Sequence, residues 1–185
     1  MARVFLAIDD DMADWIRRQQ MFFVASAPLA AEGCVNCSPK GLDTLRILSP
    51  TEIAYLDLGG SGIETVAHLK ENGRIVVMFC AFDGDPRILR LHGYGTVIER
   101  DHPEFSTLLA TFLPQPVCRS IIRIRLKRIS DSCGWGVPRY TCTGQRDEIA
   151  RAVVGRTPDQ LRDKAAQQNR RSIDGLEGLN IDALK

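Results

Sequence analysis

The sequence lacks a strong charge of either sign, long hydrophobic runs and a dense set of cysteines. Its 24 basic and 23 acidic side chains leave a formal net charge of +1 over 185 residues, so no bulk polyanion binder is indicated. The longest apolar runs, Ile75–Phe82 and Met21–Ala25, are far shorter than the roughly 20 residues of a membrane-spanning helix. Asp9–Asp11 directly follow the apolar stretch Val4–Ile8, which argues against a secretory signal. We therefore predict a cytoplasmic protein with no membrane partner, whose six scattered cysteines are free thiols.

The overall composition is that of a globular protein. Hydrophobic residues make up 44% of the chain and charged residues 25%, which excludes disordered, collagen-like and coiled-coil classes. At roughly 150 residues per domain, the length predicts one main domain with an extension. We place a β-barrel domain at residues 1–142 and a C-terminal helical extension with a tail at residues 143–185, where charged and helix-favouring residues dominate.

Short stretches rich in β-branched and aromatic residues, separated by turn residues, predict a mainly β fold. Turn sequences such as Pro39-Lys40-Gly41 keep the connections short, which favours antiparallel hairpins. A small closed or nearly closed barrel would remove the exposed edges of such a sheet. The predicted strands are Phe22–Ala27, Cys34–Ser38, Leu42–Leu48, Ile53–Leu58, Ile75–Phe82, Arg87–Ile98 and Ile122–Ile129.

Accessory helices are predicted from amphipathic patterns and from residues typical of helix ends. Ser61 and Glu64 have the S-x-x-E spacing of a capping box, and Gly73 is placed to end the helix that follows them. The predicted helices are Asp10–Gln20, Thr65–Asn72, Pro103–Leu113, Arg146–Val154 and Pro158–Gln168.

Two stretches carry residues suited to binding an anion. Asn36–Gly41 presents an amide, a hydroxyl and an ammonium at a strand end, although an ordinary polar hairpin has the same composition. Asp57–Thr65 is a glycine-rich loop that leads into a helix, where backbone N–H groups suit a phosphate. The alternative is a plain helix cap in which Glu64 competes with the anion and His68 is its partner one turn later.

Further basic and cysteine-containing stretches leave their roles open. Strand alternation puts Arg90 on one face with Ile88 and His92, either inside a barrel mouth or on the outside. Cys34 and Cys37 resemble half of a metal site, but no second pair follows, so no metal site is predicted. The basic stripe formed by Arg119, Arg123, Arg125, Lys127 and Arg128 is more typical of a solvated face than of a nucleic-acid partner.

Together these stretches resemble the pyridoxamine 5'-phosphate oxidase superfamily, the split barrels that bind flavin mononucleotide (FMN). Later motifs are similar to those of a largely uncharacterised branch of that superfamily, so the resemblance covers nearly the whole chain. The early matching segments are Asn36–Gly41, Leu45–Leu48, Tyr55–His68 and Ile75–Gly95, and the late ones are Ser132–Pro138 and Asn169–Leu176.

The resemblance implies a six-stranded antiparallel FMN-binding split barrel that forms a homodimer with cofactor sites at the subunit interface. It implies that Arg46 and Ser61 hold the phosphate, assisted by Thr65 and by N–H groups near Gly62, while Arg90 reaches the ribityl chain or ring. Trp135 either stacks on the flavin or substrate or packs in the core or dimer interface. The full set of candidate cofactor-binding residues is Asn36, Ser38, Lys40, Arg46, Ile47, Leu48, Asp57, Ser61, Gly62, Thr65, His68, Arg90 and Trp135.

The implied activity is a flavin-dependent oxidoreductase that acts on an unidentified small molecule. The true oxidases have Ser-Arg-Lys where this chain has Ser61-Gly62-Ile63, so oxidation of pyridoxamine phosphate is not predicted. No catalytic residue is named, because the flavin carries the redox chemistry. The alternatives are a non-catalytic dimer that binds or senses flavin, deazaflavin or haem, a scaffold without cofactor, and nucleic-acid binding through the basic stripe.

Overall fold

The computed structural model describes residues 3–115 and 117–181, which contain eight strands and five helices. In chain order they are β1 (Arg3–Phe5), α1 (Asp10–Arg17), β2 (Phe22–Ser26), β3 (Asn36–Lys40), β4 (Leu45–Ser49), β5 (Glu52–Leu58), α2 (Glu64–Asn72), β6 (Arg74–Cys80), β7 (Ile88–Ile98), α3 (Phe105–Leu109), β8 (Cys118–Ser132), α4 (Glu148–Val153) and α5 (Pro158–Gln168).

The strands form one antiparallel sheet with the neighbour order β3, β2, β6, β7, β8, β5, β4, and β1 pairs with β8. The predicted mainly β fold is confirmed, but the sheet has eight strands where the resemblance implies six. One strand that the sequence analysis did not predict is β1, because three residues are too few to show an alternating pattern. It is fixed by its pairing with β8 and by the ion pair between Arg3 and Asp131.

Two apolar clusters support the sheet. The main cluster joins one face of the sheet to α1 and α2, through side chains such as Met12 and Val66. The second cluster lies under α3 and includes Leu56, Phe105 and Ile121. Because alternate residues of β5 belong to different clusters, the strand is buried on both faces.

Local structure differs from the sequence predictions at β3 and α2. Pro39 and Lys40 belong to β3 rather than to a turn, and proline is tolerated there because β3 stands at the end of the strand order. The capping box at Ser61 is wrong, since α2 starts at Glu64 and Ile63 at its N-cap makes no side-chain cap bond. Gly73 ends α2 in the left-handed conformation, as predicted.

The C-terminal segment contains two helices and then returns to the barrel. α5 has the predicted bounds and begins with a capping box formed by Thr157 and Gln160. Beyond α5, Leu179 is buried in the main cluster. The division of the chain at residues 142 and 143 stays a prediction. No helix within residues 3–115 and 117–181 is both long and apolar enough to cross a membrane.

Candidate functional site

A cleft of about 1450 Å³ opens beside β3, the loop after β5 and the segment of residues 140–149. Apolar side chains line part of it, including Trp15, Leu56, Phe82 and Ile149. Small-molecule sites usually occupy roughly 300–1000 Å³, so the cleft has room for a cofactor together with a second small molecule.

A buried ion cluster joins β3, β5 and β8 at the cleft. Asp57 is completely buried, and its Oδ2 accepts a hydrogen bond from Arg119 Nε at 2.6 Å. Lys40 Nζ lies 3.4 Å from Asp57 Oδ1. Burial pushes the pKa of Asp57 upward, but the charges of Arg119 and Lys40 outweigh burial and hold the pKa below its ordinary value. Two cations therefore face one ionised carboxylate, and both of these cations line the cleft.

A β-bulge delivers Arg119 to this cluster. Leu58 pairs with Cys118 while the preceding Asp57 pairs with Ser120, so Arg119 is the extra residue on β8. The sequence analysis grouped Arg119 with the basic stripe. Because of the bulge, Arg119 is instead buried next to Asp57, away from the solvent-exposed side chains of the stripe. Arg123, the next member of the stripe, lies near the surface and forms ion pairs with carboxylates outside the cleft.

Polar side chains from β3 extend the wall of the cleft next to the ion cluster. Asn36, Ser38 and Lys40 share one face of β3, because alternate residues of a strand point the same way. Asn36 Nδ2 donates to Thr65 Oγ1 at 2.9 Å, and Ser38 Oγ donates to Asn36 Oδ1 at 3.1 Å. The structure therefore brings Asn36, Ser38, Lys40 and Thr65 together at one cleft, and their role in binding a cofactor stays a prediction.

The glycine-rich loop after β5 forms a further part of the wall. Gly59, Gly60 and Gly62 line the cleft, whereas Ser61 lines a smaller adjoining cavity of about 330 Å³. Arg119 Nη1 donates to the Gly60 carbonyl oxygen at 3.3 Å, so the loop is tied to the ion cluster. Glu64 also lines the cleft, and its carboxylate repels an anion at the start of α2.

Three predicted residues of β4 are not brought to the cleft. Arg46 donates to Asp43 and to the Thr111 carbonyl oxygen, and its guanidinium lies over the Phe112 ring. Ile47 packs against the main cluster and Leu48 against the second. These contacts hold the Arg46 side chain away from the cleft, although Gly41, Leu42 and Thr44 just before β4 line it.

The remaining candidates also lie elsewhere. His68 is fully buried, its Nδ1 lies 2.9 Å from Ser26 Oγ, and burial lowers its pKa, so the expected pairing with Glu64 on the helix surface is not formed. Arg90 Nη1 donates to Ser132 Oγ at 3.0 Å on the neighbouring strand β8. Trp135 is 84% exposed, which excludes packing in the core of its own chain.

One of the residues that line the cleft is a cysteine, Cys142, and it is exposed. All six cysteines are free, and Cys34 and Cys37 are exposed. Within residues 3–115 and 117–181, no group of three or more His, Cys, Asp or Glu side chains is arranged to hold a metal ion.

The chain is similar in sequence to one known protein described below, and similar in fold to several solved structures. No family model matches the chain. The pyridoxamine 5'-phosphate oxidase family protein ustO of Aspergillus flavus is 37% identical to it, over 94% of this chain and 76% of that protein. The solved structure of HupZ from Group A Streptococcus has a TM-score of 0.53 at 20% identity, over 66% of this chain and 91% of HupZ. A candidate pyridoxamine 5'-phosphate oxidase from Lactobacillus delbrueckii has a TM-score of 0.50 at 13% identity, over 66% and 93% of the two chains.

The antiparallel sheet, its few helices and these structural likenesses define the class, a split-barrel protein with a polar cleft beside the sheet. The sequence identity to the curated relative is high enough to name the family. The chain belongs to the pyridoxamine 5'-phosphate oxidase family.

Proposed function

We propose that this chain binds FMN in the cleft and is a flavin-dependent oxidoreductase that acts on a small molecule. The observation that carries the proposal is the cluster of Lys40, Asp57 and Arg119, which has a net charge of +1 at the edge of a large, partly apolar cleft. Family membership supports a flavin as the cofactor.

The residues at the cleft fit the parts of FMN. A phosphate needs cations and hydrogen-bond donors, which Lys40, Arg119 and the second N–H of the Asn36 amide supply, while Ser38 Oγ orients that amide. Because Glu64 repels an anion at the start of α2, we propose that the phosphate is held on the side of β3 and β8 rather than by a helix dipole. This proposal replaces the grip by Arg46 and Ser61 that the resemblance implies.

The apolar side of the cleft suits a flavin ring. Side chains such as Trp15 and Phe82 offer flat surfaces against which a ring packs, and the segment of residues 140–149 lines a further part of the cleft. Tyr140 holds this segment through its backbone N–H, which donates to the Phe82 carbonyl oxygen at 2.9 Å. When bound, the flavin would supply hydride or electron transfer, while the protein binds it, orients it and excludes water.

We also propose that the protein is a homodimer. Several large apolar side chains are exposed on the single chain, and contact with a second copy of the chain would bury them. Light scattering should then give twice the chain mass of 20.6 kDa, and a mass of one chain with and without FMN would contradict the proposal. These exposed side chains include Leu6, Val35, Trp135, Val154 and Ile173.

The binding test is a titration of the purified, cofactor-stripped protein with FMN, followed by quenching of flavin fluorescence. The wild type should saturate, and Lys40→Ala should weaken binding roughly tenfold or more, because it removes a charge-assisted hydrogen bond. Arg46→Ala is the matched control, since it removes a cation that is bound to Asp43 away from the cleft. Its dissociation constant should stay within about twofold of the wild type.

Each outcome has a defined meaning. If the wild type does not saturate with FMN, flavin binding is wrong, and the same titration with deazaflavin or haem decides between the other cofactors by their absorption spectra. If Arg46→Ala weakens binding and Lys40→Ala does not, the phosphate lies at β4 as the resemblance implies. Circular dichroism of both variants verifies that they are folded.

A further inference from the structure

The C-terminal residues 169–180, here called the tail strap, fold back onto the glycine-rich loop and the start of α2. Asp174 Oδ2 accepts a hydrogen bond from the Cys34 N–H at 2.9 Å, and the Ile173 N–H donates to Glu64 Oε1 at 3.4 Å. At the other end of the strap, the Asn180 N–H donates to Glu99 Oε2 at 2.8 Å. The strap is therefore attached to its own barrel at several points.

Asn169 connects the strap to the loop. Its side chain is 1% exposed, and its Nδ2 donates to the Gly60 carbonyl oxygen at 3.0 Å. The same carbonyl accepts the hydrogen bond from Arg119 Nη1, so a tail residue and a cation of the ion cluster hold one peptide group. The position of Asn169 is itself fixed, because its N–H donates to Ala165 at the end of α5 and its carbonyl accepts from Leu179.

The strap also holds the end of the loop that leads into α2. Leu179 and Ile63 are buried in the same apolar cluster. Gly178 passes so close that a Cβ atom there would lie 2.2 Å from the Asn169 carbonyl oxygen and 2.9 Å from Ile63 Cγ1. The strap thus contacts both Gly60 and the N-cap residue of α2.

The Gly59–Gly62 loop, which the strap contacts at Gly60 and just beyond its end at Ile63, is rich in glycine and therefore intrinsically flexible. Three of its four residues, Gly59, Gly60 and Gly62, are glycines, which lose the most conformational freedom when they are ordered. A Cβ atom at Gly60 would meet nothing within 4 Å, so side-chain packing does not fix this residue. The hydrogen bonds that its carbonyl oxygen accepts from Asn169 and Arg119 hold it instead.

We propose that Asn169 is a positioning residue: its hydrogen bond holds the Gly60 peptide, and with it Arg119, in place for binding the FMN phosphate on the side of β3 and β8. The expected effect on FMN binding rests on the proposed function. The ordering of the loop by Asn169 does not, because it is measured on the cofactor-free protein. A positioning role for Asn169 also explains what the tail motif Asn169–Leu176 does, because the motif is not part of the cleft wall.

The test compares Asn169→Ala with Gln168→Ala, its exposed neighbour on the same helix end. Hydrogen–deuterium exchange of the cofactor-free proteins reports the ordering of the loop. In Asn169→Ala, exchange of the Gly59 N–H, which donates to the Val117 carbonyl oxygen at 3.0 Å, should rise about tenfold, while β6 to β8 stay protected. FMN should bind about fivefold to tenfold more weakly, and riboflavin, which lacks the phosphate, should lose less. Gln168→Ala should match the wild type in both measurements.

A second variant covers the case in which Asn169→Ala does not fold. Asp174→Ala removes an exposed anchor of the strap, so the core remains intact, and it should raise exchange in the loop by about threefold. Unchanged exchange in the loop of the folded variants, or an increase spread evenly over the sheet, overturns the positioning role. If the wild type fails to bind FMN, the proposed function fails, and the exchange data still decide whether the strap orders the loop.

Discussion

Replacing Arg119 by methionine tests the ion cluster on which the proposed site depends. Arg119 Nε lies 2.6 Å from Asp57 Oδ2, Nη2 lies 3.3 Å from Asp57 Oδ1, and Asp57 is completely buried. Removing one partner of a buried pair costs about 3–5 kcal/mol, because a buried charge is left uncompensated. Lys40 remains 3.4 Å from the carboxylate, so we expect the lower end, about 3 kcal/mol.

The pH dependence of this loss carries the sharper prediction. In the wild type the pKa of Asp57 is below its ordinary value. The ionised carboxylate therefore contributes to the free energy of unfolding at neutral pH, and this contribution is lost only as the pH falls through the lowered pKa. In Arg119→Met, burial dominates and raises the pKa of Asp57, so the folded variant takes up a proton more readily than the unfolded chain. The difference in unfolding free energy should therefore be largest at pH 7.5 and smaller at pH 4.5.

Urea denaturation followed by circular dichroism at the two pH values measures both effects. A loss of about 3 kcal/mol corresponds to a melting temperature about 6–12 °C lower for a domain of this size. Arg123→Met is the matched control on the same strand, and its half-exposed ion pairs should cost about 1 kcal/mol or less. A loss below about 1 kcal/mol for Arg119→Met, or an equal loss at both pH values, would show that Arg119 does not compensate the buried charge of Asp57.

Two further predictions concern the strap and the buried histidine. Gly178→Ala should lower the free energy of unfolding by about 1–3 kcal/mol in urea, because its Cβ would lie 2.2 Å from the Asn169 carbonyl oxygen, whereas Gly136→Ala, with nothing within 4 Å, should not. His68→Asn should flatten the loss of wild-type stability between pH 7 and pH 5. The lowered pKa of His68 means that its contribution is present above the unfolded pKa and is lost as the pH falls. A histidine nearer the surface, His102, serves as control, and equal pH profiles for the wild type and His68→Asn would contradict the prediction.

The sequence was most informative where structure depends on neighbouring residues. The alternation in Arg87–Ile98 and Ile122–Ile129 identified the two long strands, because the side-chain period of a strand is local. Pro158–Gln168 was located with its bounds, since its capping residue and first-turn proline act within one helical turn. The capping box at Ser61 failed because contacts from distant segments, rather than the S-x-x-E spacing, set the start of α2.

The sequence anticipated only part of what lines the cleft. Asn36, Ser38 and Lys40 lie together there because polar residues on one face of a strand share a direction. The sequence does not reveal that Asp43 and Phe112 hold the Arg46 guanidinium away from the cleft, and a role of Arg46 in cofactor binding stays a prediction. Arg119 was assigned to a surface stripe because the bulge that redirects it arises from the pairing of β5 with β8.

Local patterns in the sequence identify an antiparallel β protein with accessory helices, and they mark polar residues of β3 and a glycine-rich loop as candidates for binding. Contacts between distant segments are visible only in the folded chain, where Arg119 meets Asp57, 62 residues away, and Asn169 meets Gly60, 109 residues away. Such contacts depend on the register of the strands. A shift of one residue turns every side chain of a strand to the opposite face, so contacts between distant segments depend on pairing that no local pattern specifies.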